Sequence, residues 1–202
     1  MSKFIYLASQ SPRRLELLRQ IGLSPVVLTL RHTGARADVD ETPLPEEKAV
    51  DYVLRLAEAK ARAGLTAMAG RRLMNLPIVA ADTTVSIDGA ILGKPANPAE
   101  AADMLRLYSG RTHSVLTAVA VAYQDQVKVA LSESAVRFRT LDEREINMYV
   151  DSAESFDKAG GYGIQGRAAT FIEHLSGSYS GVMGLPLFET SELLKSVGYA
   201  VL

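Results

Sequence analysis

Two long strand-like runs, HSVLTAVAVAY at 113–123 and VKVALSESAVRF at 127–138, meet around the short polar turn QDQ. Parallel neighbours need a crossover of about a dozen residues or more, so strands this close in sequence must pair antiparallel. A second hairpin lies in PIVAADTTVSIDGAILGKP, 77–95, where Asp88-Gly89 supplies a two-residue turn. Helical patterns separate these hairpins from further short strands. The chain therefore reads as mixed α/β, with a sheet that is not purely parallel.

Around this frame FIYLA, 4–8, is a short buried strand. Ser11 is placed to cap the helix that follows, Pro12 suits its first position and Gly22 ends it. SPVVLTL, 24–30, is a second strand, and the polar, proline-containing stretch 31–47 is a loop. A helix is predicted from about Glu46 to Ala63 with Ala49, Val53, Leu56 and Ala57 as its apolar stripe, and 64–76 finish and connect it. Asn97-Pro98 opens a helix that closes near Gly110, and 141–152 form another. Residues 157–167 are a glycine-rich loop, 169–175 a strand and 187–198 a final helix. The 202 residues hold no repeat or flexible linker, so a single domain over 1–202 is expected.

Hydrophobic residues make up 48% of the chain and the net charge is −1, which gives no global field for nucleic acid. Any anion must be held by local positive charge. The absence of cysteine excludes disulfides and thiolate zinc sites. MSKFIYLASQ is too short and polar for a secretory signal, and no apolar run reaches a membrane span. A cytoplasmic protein with no membrane partner is expected.

SQSPRR, Ser9 to Arg14, places two arginines where a helix starts. That end already carries partial positive charge, and a cation there costs roughly 0.3–1 kcal/mol. A bound anion reverses the sign, because arginines, free amides and the Ser9 and Ser11 hydroxyls can all hold it. Two solvated surface arginines are the alternative. The stretch is not a P-loop, since Gly93-Lys94 is followed by proline, and H-E-x-x-H and G-x-S-x-G are absent. The three histidines are scattered and read as structural or solvent-facing.

Asp82 ends the apolar run 78–81. A carboxylate there needs a partner or a metal, and as a hard oxygen ligand it suits magnesium or manganese. It could equally be a general base, or simply a capped strand end. Continuing the hairpin register sets Thr83 opposite Lys94, which brings Lys94 to the Asp82 end. Lys60 continues the stripe of its helix, so it either snorkels to water or points at an anion in a cleft. The glycines of DKAGGYGIQG let backbone approach a ligand closely, with Asp157, Lys158 and Gln165 as the polar groups. Asp40-Glu41 offers two more carboxylates to a metal or to water. Cations, carboxylates and an amide together fit a metal-bound nucleoside polyphosphate.

Ser9-x-Ser-x-Arg13-Arg14, Asp40-Glu41-Thr42, RLAEAKA around Lys60, AADT at Asp82, GKP at Lys94 and DKAGGYGIQG resemble, in combination, the Maf family of nucleoside triphosphate pyrophosphatases. The resemblance spans nearly the whole chain. It implies an elongated mixed sheet flanked by helices, with two lobes around a central cleft, similar to enzymes that remove inosine triphosphate. It implies metal-dependent cleavage between the α and β phosphates, using Mg2+, Mn2+ or Co2+. By resemblance Asp82 is the proton acceptor, and Glu41 and Asp82 lie near the metal. Ser9, Arg13, Arg14, Lys60, Lys94 and Lys158 surround the phosphates. Arg13, Thr83 and Gln165 match the dTTP/UTP-cleaving branch, whereas the 7-methyl-GTP branch carries tryptophan, glutamine and glutamate there. A homodimer is also implied. The segment from Arg31 to Asp38 matches no part of the family pattern. The reading to weigh against an enzyme is a non-catalytic nucleotide-binding regulator of cell division.

Overall fold

The long hairpin forms the spine of the sheet. In the computed structural model, which describes residues 3–31 and 37–201, β5 (Thr112–Tyr123) and β6 (Gln126–Phe138) pair antiparallel from Thr112 opposite Arg137 to Tyr123 opposite Gln126. β3 (Ile78–Ile87) lies antiparallel to β5, from Ile78 opposite Ala122 to Ser86 opposite Ser114. β1 (Lys3–Leu7) runs parallel both to β3 and to β2 (Leu23–Val27). β4 (Ala90–Leu92) closes the Asp88-Gly89 turn onto β3, with both turn residues at positive φ. β7 (Ile172–Ser176) adds to β6, giving a seven-stranded mixed sheet of order β2-β1-β3-β5-β6-β7 with β4 beside β3.

Alternation along the strands sends side chains to opposite faces. Ile78 and Ala80 on β3, with Ala118, Ala120 and Ala122 on β5, pack under α2 (Ala49–Gly70) through Val53, Ala57 and Ala61. Val79, Ala81, Val119 and Val121 face the other way, against Leu17 and Leu18 of α1 (Pro12–Gln20) and Leu194 of α6 (Leu187–Ser196). A separate apolar cluster joins Val85 and Ile87, past the polar residues Asp82 to Thr84, to Val115, Phe138, α3 (Pro98–Tyr108) and α4 (Glu143–Asp151). The core is thus interrupted along β3 at Asp82-Thr83-Thr84.

Several boundaries differ from the sequence expectation. α2 starts at Ala49, because Glu46 sits at φ 57, and runs on to Gly70. Gly64 keeps that helix close to the sheet, since a Cβ there would lie 2.9 Å from Ile78 Cγ2. Ser11 occupies the α1 cap position but makes no side-chain cap bond, whereas Asn97 caps α3 through the Glu100 amide. β7 begins only at Ile172, because Arg167–Thr170 form a 3-10 turn. The short helix α5 (Tyr179–Val182) was not anticipated. Of the loop expected at 31–47, residues 32–36 lie outside the described residues, and the others there adopt neither helix nor strand.

Candidate active site

β3 meets β1 only at Ile78 and Val79, and meets β4 only from Val85 onward. Among the described residues, 80–84 therefore have a strand partner on β5 alone. The first turn of α1 reaches the gap on the other edge. Arg14 donates through Nη1 to the Ala81 carbonyl at 2.8 Å and to Ser9 Oγ at 3.3 Å. Its Nε reaches the Gly184 carbonyl at 2.7 Å and its Nη2 reaches Thr83 Oγ1 at 3.1 Å. Four of the five guanidinium N–H groups are thereby engaged by the protein. This leaves one for a phosphate, a different assignment from the pair of phosphate-binding arginines expected of SQSPRR. Burial pushes the Arg14 pKa down, and the Asp82 and Glu41 carboxylates oppose that.

On the α2 side of the same strand, the Lys60 ammonium donates to Asp82 Oδ1 at 2.7 Å and lies 2.8 Å from Glu41 Oε1. Lys60 is 7% exposed and Asp82 8%, so neither is snorkelling into solvent. Burial raises the Asp82 pKa above the ordinary carboxylate value; Lys60 and Arg14 pull it back and Glu41 adds to the rise. Such a carboxylate, held by one lysine, is a stronger base than a surface aspartate.

Glu41 reaches this point because α2 pins its loop. Tyr52 donates to the Glu41 carbonyl at 3.0 Å. Arg55 grips Glu47 at 2.6 and 2.7 Å and the Thr42 carbonyl at 3.2 Å. Burial, with Asp82 and Glu41 adding, pushes the Tyr52 pKa up to about 12, so this phenol stays a donor. Two carboxylates meeting at one cation are the donors magnesium takes when substrate phosphates complete its shell. No group of three or more histidine, aspartate or glutamate side chains able to hold a metal occurs among the described residues.

The glycine-rich loop comes to the same place from the far end of the sheet. Arg13 Nη1 lies 3.4 Å from Asp157 Oδ2, and the other oxygen of Asp157 takes a bond from Lys158. The Gly160 amide donates to the Gly93 carbonyl at 2.8 Å, so GKP and the glycine loop are neighbours. Protein packing already requires glycine at Gly160 of this loop. A Cβ on Gly160 would fall 2.4 Å from Val85 Cγ2, and one on Gly163 would fall 2.7 Å from Lys158 Cε. The expected Thr83–Lys94 cross-strand pair does not form: the ladder to β4 stops at Val85–Leu92, and the strand partner of Thr83 is Thr117, on the other edge of β3. Lys94 and Gln165 are exposed, and neither side chain has a hydrogen-bond partner among the described residues. His113 is buried against the Tyr162 hydroxyl at 2.7 Å and His174 is exposed, while His32 lies outside the described residues.

Sequence reasoning missed Tyr52, Arg55, Thr117 and the segment Ser178 to Gly184. Thr117 is fully buried and lies 3.0 Å from Thr83 Oγ1 and 2.8 Å from the Gly181 carbonyl. Its hydroxyl gave no separate signal, because Thr112, His113 and Ser114 are also polar residues of β5.

The sequence model of the family described as Maf-like protein matches residues 4–197. A dTTP/UTP pyrophosphatase of Nitrosomonas europaea is 53% identical over 198 residues, covering 98% of this chain and 96% of the relative. A dTTP/UTP pyrophosphatase of Nitrosospira multiformis is 56% identical over 192 residues, covering 95% and 93%. Among solved structures, the Staphylococcus aureus Ham1 protein aligns with a TM-score of 0.44 and 16% identity, over 67% of this chain and 72% of that one.

Proposed function

The chain belongs to the Maf family, and from that premise we propose that it hydrolyses dTTP and UTP between the α and β phosphates, releasing the nucleoside monophosphate and pyrophosphate. The observation that carries this reading is the buried Lys60 ammonium between Asp82 and Glu41, beside the arginines that open α1. The full-length likeness to relatives named dTTP/UTP pyrophosphatases supports the substrate class.

Asp82 takes the proton of the attacking water, and Lys60 holds that carboxylate ionised and aimed. The water oxygen bonds to the α-phosphorus as the bond from that phosphorus to the α–β bridging oxygen breaks, and the bridging oxygen leaves with pyrophosphate. Arg13, Lys60, Lys94, Lys158 and the Ser9 hydroxyl hold the polyphosphate in line. Arg14 braces Ala81 and Thr83 on either side of Asp82. Glu41 and Asp82 would hold a divalent cation such as Mg2+, Mn2+ or Co2+; bound there, it neutralises phosphate charge. The base is read by Gln165 and Thr83, with Arg13 nearby. Uracil and thymine present an acceptor–donor–acceptor edge that an amide can match. No helix among the described residues is long and apolar enough to cross a membrane.

The test is pyrophosphate release from UTP by wild type and by a folded Asp82→Asn variant, which keeps the shape and removes the charge. Release by wild type and near-complete loss in the variant are expected. No release by wild type, or equal release by both, would overturn the reading.

A further inference from the structure

Thr83, Thr117 and Ser132 stand in one cross-strand row on β3, β5 and β6. Helix α5 sits down on this row because Gly181 has no side chain: a Cβ there would lie 3.1 Å from Ser132 Oγ. The segment is pinned from both ends. The Ser178 amide donates to Ser134 Oγ at 2.9 Å, and the Gly184 carbonyl receives Arg14 Nε at 2.7 Å.

A proton inventory fixes the direction of the hydroxyls in this row. Thr117 Oγ1 is 2.8 Å from the Gly181 carbonyl oxygen and 3.0 Å from Thr83 Oγ1. A carbonyl has no proton to offer, so the shorter contact is attractive only when Thr117 supplies its single hydrogen there. Two buried oxygens at that distance with no proton between them would repel. The Thr83–Thr117 contact must then use the hydrogen of Thr83. Arg14 Nη2 occupies one lone pair of Thr83 Oγ1 at 3.1 Å. One lone pair is left, and no proton.

We propose that Thr117 is a positioning residue for substrate selection: by taking the Thr83 proton, it makes Thr83 an acceptor only, so that Thr83 meets the ring N3–H of uracil or thymine. That N3–H is the one donor on the pairing edge of either base. Cytosine presents a bare lone pair at N3, which a second lone pair repels. Gln165 is left to meet a carbonyl oxygen through its amide N–H. The inference rests on the reading of Thr83 as a base contact.

The experiment compares catalytic efficiency for UTP and CTP in wild type, Thr117→Val, Thr117→Ser and Thr83→Val, with melting curves to establish folding. Thr117→Val keeps the shape and removes the hydroxyl. It leaves the Gly181 carbonyl a partner in the Gly184 amide at 2.9 Å. Freed from Thr117, the Thr83 hydroxyl can turn its proton to cytosine N3, and the UTP-over-CTP ratio should fall about tenfold, one hydrogen bond's worth of discrimination. Thr117→Ser retains the proton relay and should keep the wild-type ratio. Thr117→Ala removes the same hydroxyl should valine not fold. A wild-type ratio in folded Thr117→Val or Thr117→Ala, with Thr83→Val altered, would overturn the role of Thr117 alone. An equal fall in Thr117→Ser would do the same. An unchanged ratio in Thr83→Val would overturn the base contact itself.

Discussion

Replacing Lys60 with methionine isolates the buried ion pair. Methionine fills the aliphatic path of lysine on the α2 stripe but leaves Asp82, 8% exposed, without its 2.7 Å partner. Removing one member of a buried pair costs about 3–5 kcal/mol. The lower end applies here, because the Arg14 guanidinium still favours the Asp82 charge and Glu41 is half exposed and can turn to water. For a chain of this size about 3 kcal/mol is a fall of roughly 6–12 °C in melting temperature. The sign of the pH dependence follows from Asp82. Its folded pKa is already raised by burial, and loss of Lys60 raises it further. The protonated carboxyl is tolerated at low pH, and that tolerance is lost as pH rises through the raised folded value. The deficit of Lys60→Met against wild type should therefore be larger at pH 8 than at pH 5. The acid limb of its activity profile should also move to higher pH. Adding Asp82→Asn to Lys60→Met should recover most of the lost stability, since neither charge of the pair is then left without the other. Thermal melts of wild type, Lys60→Met, Asp82→Asn and the double variant at both pH values are the assay. A deficit independent of pH and not relieved in the double variant would refute the reasoning.

Two further substitutions separate roles within the site. Arg14→Lys cannot satisfy acceptors as widely placed as the Ala81 and Gly184 carbonyls and Thr83; kcat for UTP should fall about 10- to 100-fold with KM little changed, the pattern of lost positioning. A raised KM with kcat retained would return Arg14 to the phosphates. Gln165→Glu removes the N–H donor and sets a carboxylate against a base carbonyl, so efficiency for UTP should drop about tenfold or more, read in steady-state kinetics; unaltered efficiency would remove Gln165 from base recognition.

What could be read from the sequence was whatever rests on local pattern. The 2-residue and QDQ turns set the antiparallel ladders, and the stripe position of Lys60 already forced the choice between snorkelling and a buried anion, which the structure answers with Asp82. What escaped depends on main-chain atoms brought together from afar. Arg14 is held by carbonyls of Ala81 and Gly184, and a backbone oxygen leaves no mark in a sequence. Glu41 owes its place to Tyr52 and Arg55 one and two turns into α2, partners that look like ordinary exposed-face residues. α5 spans four residues, too few for a periodic signal. In the glycine loop, the packing of Gly160 against Val85 and Tyr108 joins residues distant in sequence and was equally hidden.

The central claim, a pyrophosphatase selective for thymine and uracil nucleotides, is tested most directly by pyrophosphate release from dTTP, UTP, CTP and 7-methyl-GTP, each with and without a divalent cation. The account predicts metal-dependent release from dTTP and UTP at efficiencies at least about tenfold above the other two. Binding without release, or 7-methyl-GTP or CTP as the preferred substrate, would contradict it.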